Sequence, residues 1–416
     1  MLLNVRIENF LVYSAGVDFS LLAGKSRKFG GSVAESAGFS VLKSACVYGG
    51  NNVGKSCAVR AIRALKSVMR GEDFPLTPNL FSDNRVVSLG ISFTDGDKAY
   101  SFDFCYDTTI ENNAPRGFIY QKLSEYGGKK PHEKLLYLLD KQGNEYSAKG
   151  LNAAVRKRAE KMLAAITTAK LAPFATDDKE FELFVRILSG FAKNTEFADM
   201  GNISLAKTIG ILKENGKKAE VVREFLKQAD LEIEDIYFDF DAPPINNFSD
   251  SNISLYRDLT PDDIAGLYAV RRGKRIQSYV YDSNGTKKII AAASYIIEAL
   301  TEGKTLVVDE LDAGLHFKLT RAVVSLFNNC LNENAQLIFT THDLSLLDCK
   351  NLFRKDQIWF AAKDENGEYL YSLADFDGFS DSPDRNALIK KYNEGLMGAL
   401  PKPDLISVIL KKEEGE

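Results

Sequence analysis

The sequence of 416 residues has few cysteines and no strong charge of either sign. Its five cysteines are an odd number and contain no C-x-x-C pair, which argues against a disulfide framework and against a zinc site and favours a reducing cytoplasm. The net charge of −4 comes from 53 basic and 57 acidic residues spread along the chain. No overall basic field therefore attracts nucleic acid or an anionic membrane, and any contact with nucleic acid must be local.

Long hydrophobic runs are also absent. The first residues carry charge at Arg6 and Glu8, so they lack the apolar region of a signal peptide. The longest apolar stretch elsewhere, 289–300, is much shorter than the roughly 20 residues that span a bilayer. A composition that is 45% hydrophobic is enough for a large core. We expect a soluble, cytoplasmic protein without membrane contact.

A glycine-rich loop lies between a predicted strand and a predicted helix. Residues 49–56 read Gly-Gly-Asn-Asn-Val-Gly-Lys-Ser, which matches the phosphate-binding pattern G-x-x-x-x-G-K-[ST]. A β-favouring run, 39–48, precedes the loop and helical spacing over 55–69 follows it, so a plain glycine turn is the weaker interpretation. In this motif backbone N–H groups wrap the phosphates, the lysine reaches the β- and γ-phosphates, and the serine hydroxyl ligates Mg²⁺. The predicted ATP contacts are Gly49, Gly50, Asn51, Asn52, Val53, Gly54, Lys55, Ser56 and Cys57.

Two acids follow the apolar run Thr305-Leu-Val-Val. Taken alone, this pattern also fits an ordinary strand that enters a turn. Together with the phosphate-binding loop it predicts a Walker B strand, which delivers carboxylates to the edge of a parallel sheet. Asp309 would then hold Mg²⁺ through its water shell, and Glu310 would orient and polarise the attacking water.

A third apolar run, 336–341, ends at His342-Asp343. A histidine at the end of a strand is usually structural. Its position 32 residues after Glu310 favours a contact with the γ-phosphate instead. The predicted catalytic residues are Glu310, His342 and Lys55, and the predicted metal ligands are Ser56 and Asp309.

Together these motifs resemble those of the ABC ATPases and their SMC-like relatives. In that superfamily a signature loop contacts the ATP that is held by the partner subunit. Residues 283–287, Ser-Asn-Gly-Thr-Lys, occupy this place before a predicted helix, 288–300, and depart from the transporter form L-S-G-G-Q. The resemblance implies that Ser283 and Gly285 bind the partner's ATP, while a simple Asn-Gly turn remains the alternative.

The same resemblance implies a role for the segment after the two acids. Residues 311–316 read Leu-Asp-Ala-Gly-Leu-His and are similar to the block that lies across the dimer seam in these proteins. The resemblance therefore implies that His316 could sense the nucleotide of the opposite subunit. Gln121 is a weak candidate for the Q-loop glutamine.

A narrower likeness is to the AbiL/RloA-type ATPases of bacterial anti-phage systems. It implies an abortive-infection role with a separately encoded effector, such as a nuclease or toxin, and a nucleic acid or phage protein as trigger. Val53 and Cys57 depart from residues common in the family but alter no phosphate-contacting group. The segments that carry this likeness are 7–10, 44–56, 309–312, 335–338, 356–359, 391–395 and 398–401.

We therefore predict an α/β fold, an ABC/SMC-type P-loop NTPase head whose mixed central sheet has the P-loop and Walker B strands adjacent. Helical stretches are expected at 149–171, 179–192 and 219–229, and a strand at 278–281. The predicted divisions are an N-terminal half of the head at 1–110, a helical insert at 111–250 and a C-terminal half at 251–416.

The predicted function is a Mg²⁺-dependent ATPase that closes as a homodimer, or a higher homo-oligomer, through its ATP sites. The alternative is a DNA-repair or chromosome-processing head that acts on DNA directly, although no heptad repeat for a long coiled coil is present. A small-molecule kinase and a GTPase fit less well. The pair Asp375 and Asp377 lacks the further acid of a nuclease site, and the basic run 271–275 fits a solvated hairpin at least as well as a nucleic-acid contact.

Overall fold

Two large β-sheets enclose most of the chain's core. The computed structural model describes residues 1–26, 28–111, 113–127, 132–142, 145–150, 179–229, 231–245, 253–365, 367–376 and 383–395. The strands are β1 Leu2–Glu8, β2 Val17–Ser20, β3 Val33–Ser36, β4 Phe39–Leu42, β5 Ser44–Tyr48, β6 Val86–Asp95, β7 Lys98–Glu111, β8 Ala114–Gly127, β9 His132–Gln142, β10 Glu145–Lys149, β11 Thr195–Asp199, β12 Asp235–Phe238, β13 Leu267–Arg271, β14 Lys274–Gln277, β15 Thr305–Asp309, β16 Gln336–Thr340, β17 Ile358–Asp364 and β18 Gly367–Ser372.

Helices pack against both faces of the sheet that contains β15. The described α-helices are α1 Lys55–Arg70, α2 Lys179–Lys193, α3 Ala206–Glu214, α4 Lys217–Gln228, α5 Pro261–Ala265, α6 Ser278–Tyr281, α7 Asn284–Glu302, α8 Phe317–Phe327 and α9 Arg385–Asn393. None of the helices in the described part of the chain is both long and apolar enough to cross a membrane.

The central sheet has six strands in the order β11-β15-β16-β5-β17-β18, and only the pair β17–β18 is antiparallel. Parallel strands covered on both faces are apolar throughout, and alternate side chains enter opposite cores. Leu306 and Val308 of β15 pack in one hydrophobic cluster with α7 and α8. Val307, between them, packs in the other cluster with α1 and α2. The fold is the predicted α/β architecture with a mixed central sheet.

The prediction that the P-loop and Walker B strands are adjacent is wrong, because β16 lies between β5 and β15. Val308 of β15 pairs with Phe339 of β16, and Thr340 of β16 pairs with Val47 of β5. The inserted strand is the one that carries His342 at its end. All three motifs therefore meet at one edge of the sheet.

The second sheet is antiparallel and has seven strands in the order β10-β9-β8-β7-β6-β1-β2. Helix α1 connects it to the central sheet: Ile62 and Leu65 of α1 belong to the cluster that also contains Phe102 of β7 and Val307 of β15. The helix that begins at the phosphate-binding loop is thus packed between both sheets.

Helix does not dominate the whole range 111–250. The expectation is wrong for 114–149, where β8, β9 and β10 extend the antiparallel sheet because Leu123, Tyr137 and Leu139 face its core. The helices expected at 179–192 and 219–229 are confirmed as α2 and α4. The helix expected at 149–171 lies almost entirely outside the described residues, as does Asp377.

The structure also corrects the expectations for 278–281 and for the basic run 271–275. Residues 278–281 form one helical turn, α6, instead of a strand, and the Ser278 hydroxyl donates to the carboxylate of Asp282. The basic run is the predicted hairpin, β13–β14. Its Arg271, however, is buried and pairs with Asp282 instead of facing solvent.

Candidate nucleotide site

The phosphate-binding loop connects β5 to α1 and requires glycine at two positions. Gly49 has a φ of 154° and Gly54 a φ of 105°. A Cβ at Gly49 would lie 2.5 Å from the carbonyl oxygen of Ala361, and one at Gly54 would lie 2.7 Å from the hydroxyl of Tyr13. That hydroxyl donates to the carbonyl of Gly54 at 2.9 Å. Glycine therefore lets this loop run close to its neighbours and keep its tight turn.

The other residues of the loop differ in their exposure and packing. Asn51 and Asn52 are exposed, and Asn52 has a φ of 60°, which asparagine tolerates better than most residues. Val53 is partly buried and packs against the core that α1 shares with the two sheets. Cys57 lies in the first turn of α1, where burial raises the pKa of its thiol and so disfavours a reactive thiolate.

Lys55 is the first residue of α1 and is only 7% exposed. Its Nζ donates to the carbonyls of Gly49 at 2.9 Å and Gly50 at 2.6 Å. Burial lowers the pKa of Lys55, whereas the carboxylates of Asp309 and Glu310 raise it. The ammonium group is therefore held inside the curve of the loop, at the position where the P-loop lysine contacts phosphate.

Ser56 and Asp309 lie next to each other, although 253 positions separate them in the sequence. The Ser56 hydroxyl donates to Asp309 Oδ1 at 3.1 Å. Thr340, at the end of β16, donates to the same oxygen at 2.5 Å. The pair of oxygen ligands from Ser56 and Asp309 suits a hard cation such as Mg²⁺, which prefers oxygen donors and keeps much of its water shell. The predicted metal ligands fit such an ion.

Glu310 follows β15 with a positive φ of 54°. This conformation is strained for a residue with a Cβ, and such strain is concentrated at functional sites. The backbone N–H of Glu310 donates to Thr340 Oγ1 at 2.8 Å, and the N–H of Leu311 donates to the Thr340 carbonyl at 3.0 Å. Thr340 therefore fixes both acids at the carboxyl edge of the sheet.

His342 also belongs to this group. Its backbone N–H donates to Asp312 Oδ2 at 3.2 Å, which ties the loop after β16 to the loop after β15. The pKa of His342 is lowered by burial and then by the positive charge of Lys55, against the opposing effect of Asp312, Glu310 and Asp309. The ring is therefore neutral at pH 7 and able to donate or accept a hydrogen bond.

One acid at the same edge was not predicted from the sequence. Asp199 ends β11, and its Cα pairs in register with that of Asp309. Its carboxylate accepts from the N–H of Gly201 at 2.9 Å and from Asn202 Nδ2 at 2.9 Å. A Cβ at Gly201 would lie 3.8 Å from Glu310 Oε2, so this loop borders Glu310. The only signal was a short strand-like run that ends in an acid.

Ser283 and Gly285 lie at the start of α7. Ser283 caps the helix, and its Oγ accepts from the N–H of Thr286 at 3.2 Å. A Cβ at Gly285 would lie 2.5 Å from the carbonyl of Gly314. Residues 283–287, the predicted signature segment, thus begin a helix instead of forming a simple turn, and Gly285 lies against Gly314.

His316 and Gln121 make other contacts. His316 is exposed and caps α8 by accepting the N–H of Lys318 at 3.3 Å. Gln121 is buried in β8 of the antiparallel sheet. The structure does not place it in the sheet that carries the P-loop.

Comparison with known proteins agrees with this geometry. A family model described as an AAA domain, putative AbiEii toxin, type IV TA system, matches residues 44–348. The chain belongs to this AAA domain family. The match covers β5, the P-loop, β15 and β16, and the predicted resemblance to ABC/SMC-like P-loop ATPases is confirmed. The family is one of ATPase domains, and P-loop ATPases in general use ATP and Mg²⁺.

Solved structures give more distant likenesses. The SMC head domain from Thermotoga maritima is 11% identical with a TM-score of 0.40, and the likeness covers 89% of this chain and 98% of that one. A SmcHead bound to the C-winged helix domain of ScpA is 14% identical with a TM-score of 0.43, over 89% of this chain and 97% of that one. Among curated proteins, none matches the chain.

Proposed function

We propose that this AAA domain protein binds and hydrolyses ATP as a conformational switch in bacterial anti-phage defence, and that it closes as a homodimer on ATP to control a separately encoded effector. The observation that carries the ATPase proposal is the meeting of Lys55, Ser56, Asp309, Glu310 and His342 at one edge of the parallel sheet. Ligands of open α/β sheets bind at this edge.

Each of these residues has a different role in phosphoryl transfer. The P-loop N–H groups and the N-terminus of α1 bind the phosphates, and Lys55 stabilises charge on the β- and γ-oxygens. Ser56 and Asp309 would hold Mg²⁺, which would neutralise negative charge on the phosphates. Glu310 orients and polarises the attacking water, and neutral His342 hydrogen-bonds the γ-phosphate.

Dimer closure is supported by the exposure of the signature segment. Ser283 and Asn284 are exposed at the start of α7, and the capped helix start offers N–H groups and a hydroxyl to an anion. Within its own chain this segment packs against the loop 311–316. A second copy that faces the first would bring these groups to the other copy's ATP.

The ATPase proposal is tested by steady-state turnover of the wild type and of Glu310→Gln. Because Glu310 activates water, we expect the variant to lose about 10²-fold or more in kcat while it still binds ATP. Glu214→Gln, at an exposed position of α3, is the matched control and should retain full turnover. Normal hydrolysis by Glu310→Gln would overturn the assignment of Glu310.

The defence role is tested in cells that carry the gene with its neighbours. Cells with the wild type should plate phage less efficiently than cells with Lys55→Ala, because the switch requires nucleotide. An unchanged plating efficiency over a panel of unrelated phages, with both proteins expressed equally, would contradict the defence role but not the ATPase.

A further inference from the structure

A basic cleft of about 500 Å³ lies between α1, α2 and the starting ends of β11 and β15. Its other lining residues are small, namely Ser189, Gly190 and Ala192, apart from a single acid, Glu196. Five cations line it: Lys66, Arg70, Arg186, Lys193 and Lys304.

The acids near the cleft neutralise only part of this charge. Lys304 pairs with Glu298, with Glu302 at 3.0 Å and with Glu196 at 3.6 Å. Arg70 pairs with Glu72 at 2.9 Å. Three cations, Lys66, Arg186 and Lys193, form no ion pair with any residue that the structure describes.

Helix dipoles explain the presence of two of the five cations. Arg70 and Lys193 occupy the last turns of α1 and α2, where positive charge is favourable. Lys66 and Arg186 lie further inside their helices, where the dipole does not explain a cation, yet both line the cleft. Lys66 is held in place by donating to the carbonyl of Thr195, and burial and the charge of Arg70 lower its pKa against the effect of Glu196. The gathered charges repel one another, so an anion in the cleft would be stabilising.

The cleft is separate from the nucleotide site. β11 and β15 begin beside it, at Thr195 and Thr305, and end at the opposite edge, at Asp199 and Asp309. Helix α1 extends from the P-loop to the cleft over 16 residues, which is about 24 Å at 1.5 Å per residue.

We propose that this cleft is a binding site for the phosphodiester backbone of nucleic acid. Arginine and lysine donors at the surface of a groove bind phosphates irrespective of base sequence. An acidic protein fits less well, because protein interfaces depend on buried apolar or aromatic anchors, and between the cations the cleft walls offer only small side chains and the acid Glu196. The site lies within a chain of net charge −4, so the attraction is local.

The test is binding of fluorescently labelled oligonucleotides, single-stranded and duplex, to the full chain without ATP. The variant Arg70→Glu/Arg186→Glu/Lys193→Glu reverses three exposed charges. We expect its affinity for at least one of the two oligonucleotides to fall ten-fold or more. The slope of log K against log salt should decrease by about 2 to 3, roughly one for each phosphate that the variant no longer neutralises.

A control variant carries the same charge change elsewhere. Lys217→Glu/Lys227→Glu/Arg385→Glu lies at exposed positions of α4 and α9 and should bind as the wild type does. Both variants should keep the wild-type circular dichroism spectrum and ATPase rate, since neither touches the nucleotide edge. Lack of binding by the wild type, equal binding by the cleft variant, or displacement by polyglutamate as effective as by unlabelled oligonucleotide would each overturn the proposal.

Discussion

Replacing Thr340 with valine removes one hydroxyl that holds two functional acids. Thr340 is fully buried, and its Oγ1 donates to Asp309 Oδ1 at 2.5 Å while it accepts the N–H of Glu310 at 2.8 Å. Valine has nearly the same shape, so Thr340→Val leaves no large cavity. The variant therefore isolates the loss of these hydrogen bonds.

The magnitude follows from the two bonds. A hydrogen bond to a charged group contributes about 1.5–3 kcal/mol, and a neutral one about 1 kcal/mol. We expect the free energy of unfolding to decrease by about 2.5–4 kcal/mol. If about 1.4 kcal/mol of this loss acts on the placement of Asp309 and Glu310, kcat/KM for ATP should decrease about ten-fold.

The assay combines urea unfolding with steady-state ATPase kinetics. Thr208→Val is the matched control, because Thr208 is equally buried and its hydroxyl donates to the carbonyl of Ile290 at 2.9 Å, away from the acids. It should lose about 1 kcal/mol of stability and no turnover. A Thr340→Val protein with wild-type kcat/KM would refute the view that Thr340 positions the acids.

Two further variants test other parts of the site. Gly285→Ala should weaken ATP-dependent association, because its Cβ would lie 2.5 Å from the carbonyl oxygen of Gly314. Gly210→Ala is the control, since Gly210 is a helical residue with open space around it. This variant should associate normally, and its free energy of unfolding should increase by about 0.4–1 kcal/mol in thermal unfolding. The pKa of His342 is lower in the folded than in the unfolded chain, so the unfolded chain takes up more protons and stability should decrease as the pH falls below about 6.5. His342→Asn should make urea unfolding less dependent on pH in that range, and an unchanged dependence would contradict the burial of a neutral ring.

The local motifs could be predicted because each is contiguous and its residue types are fixed by chemistry. The motif at 49–56 predicts a strand before it and a helix after it, and both are present. The acids at 309 and 310 and the histidine at 342 follow apolar strands, as expected for the carboxyl edge of a buried parallel sheet.

The spatial order of strands could not be predicted in the same way. Both β15 and β16 are short and apolar, and nothing in their sequences tells which one pairs with β5. The role of Thr340 was not predicted, because a threonine that ends a strand usually has only a structural role. Its contacts with the two acids depend on the position of β16 between β5 and β15. The strands 114–149 were missed because polar residues interrupt their alternation, and pairing with β7 decides their structure.

The most direct test of the central proposal is the molar mass of Glu310→Gln with and without ATP, measured by light scattering. A switch that closes around ATP and reopens on hydrolysis should be trapped as a dimer, or a larger assembly, when Glu310→Gln binds ATP and Mg²⁺. The same variant with Lys55→Ala added should stay at its nucleotide-free mass. A Glu310→Gln protein that binds ATP yet keeps its nucleotide-free mass would contradict closure by ATP.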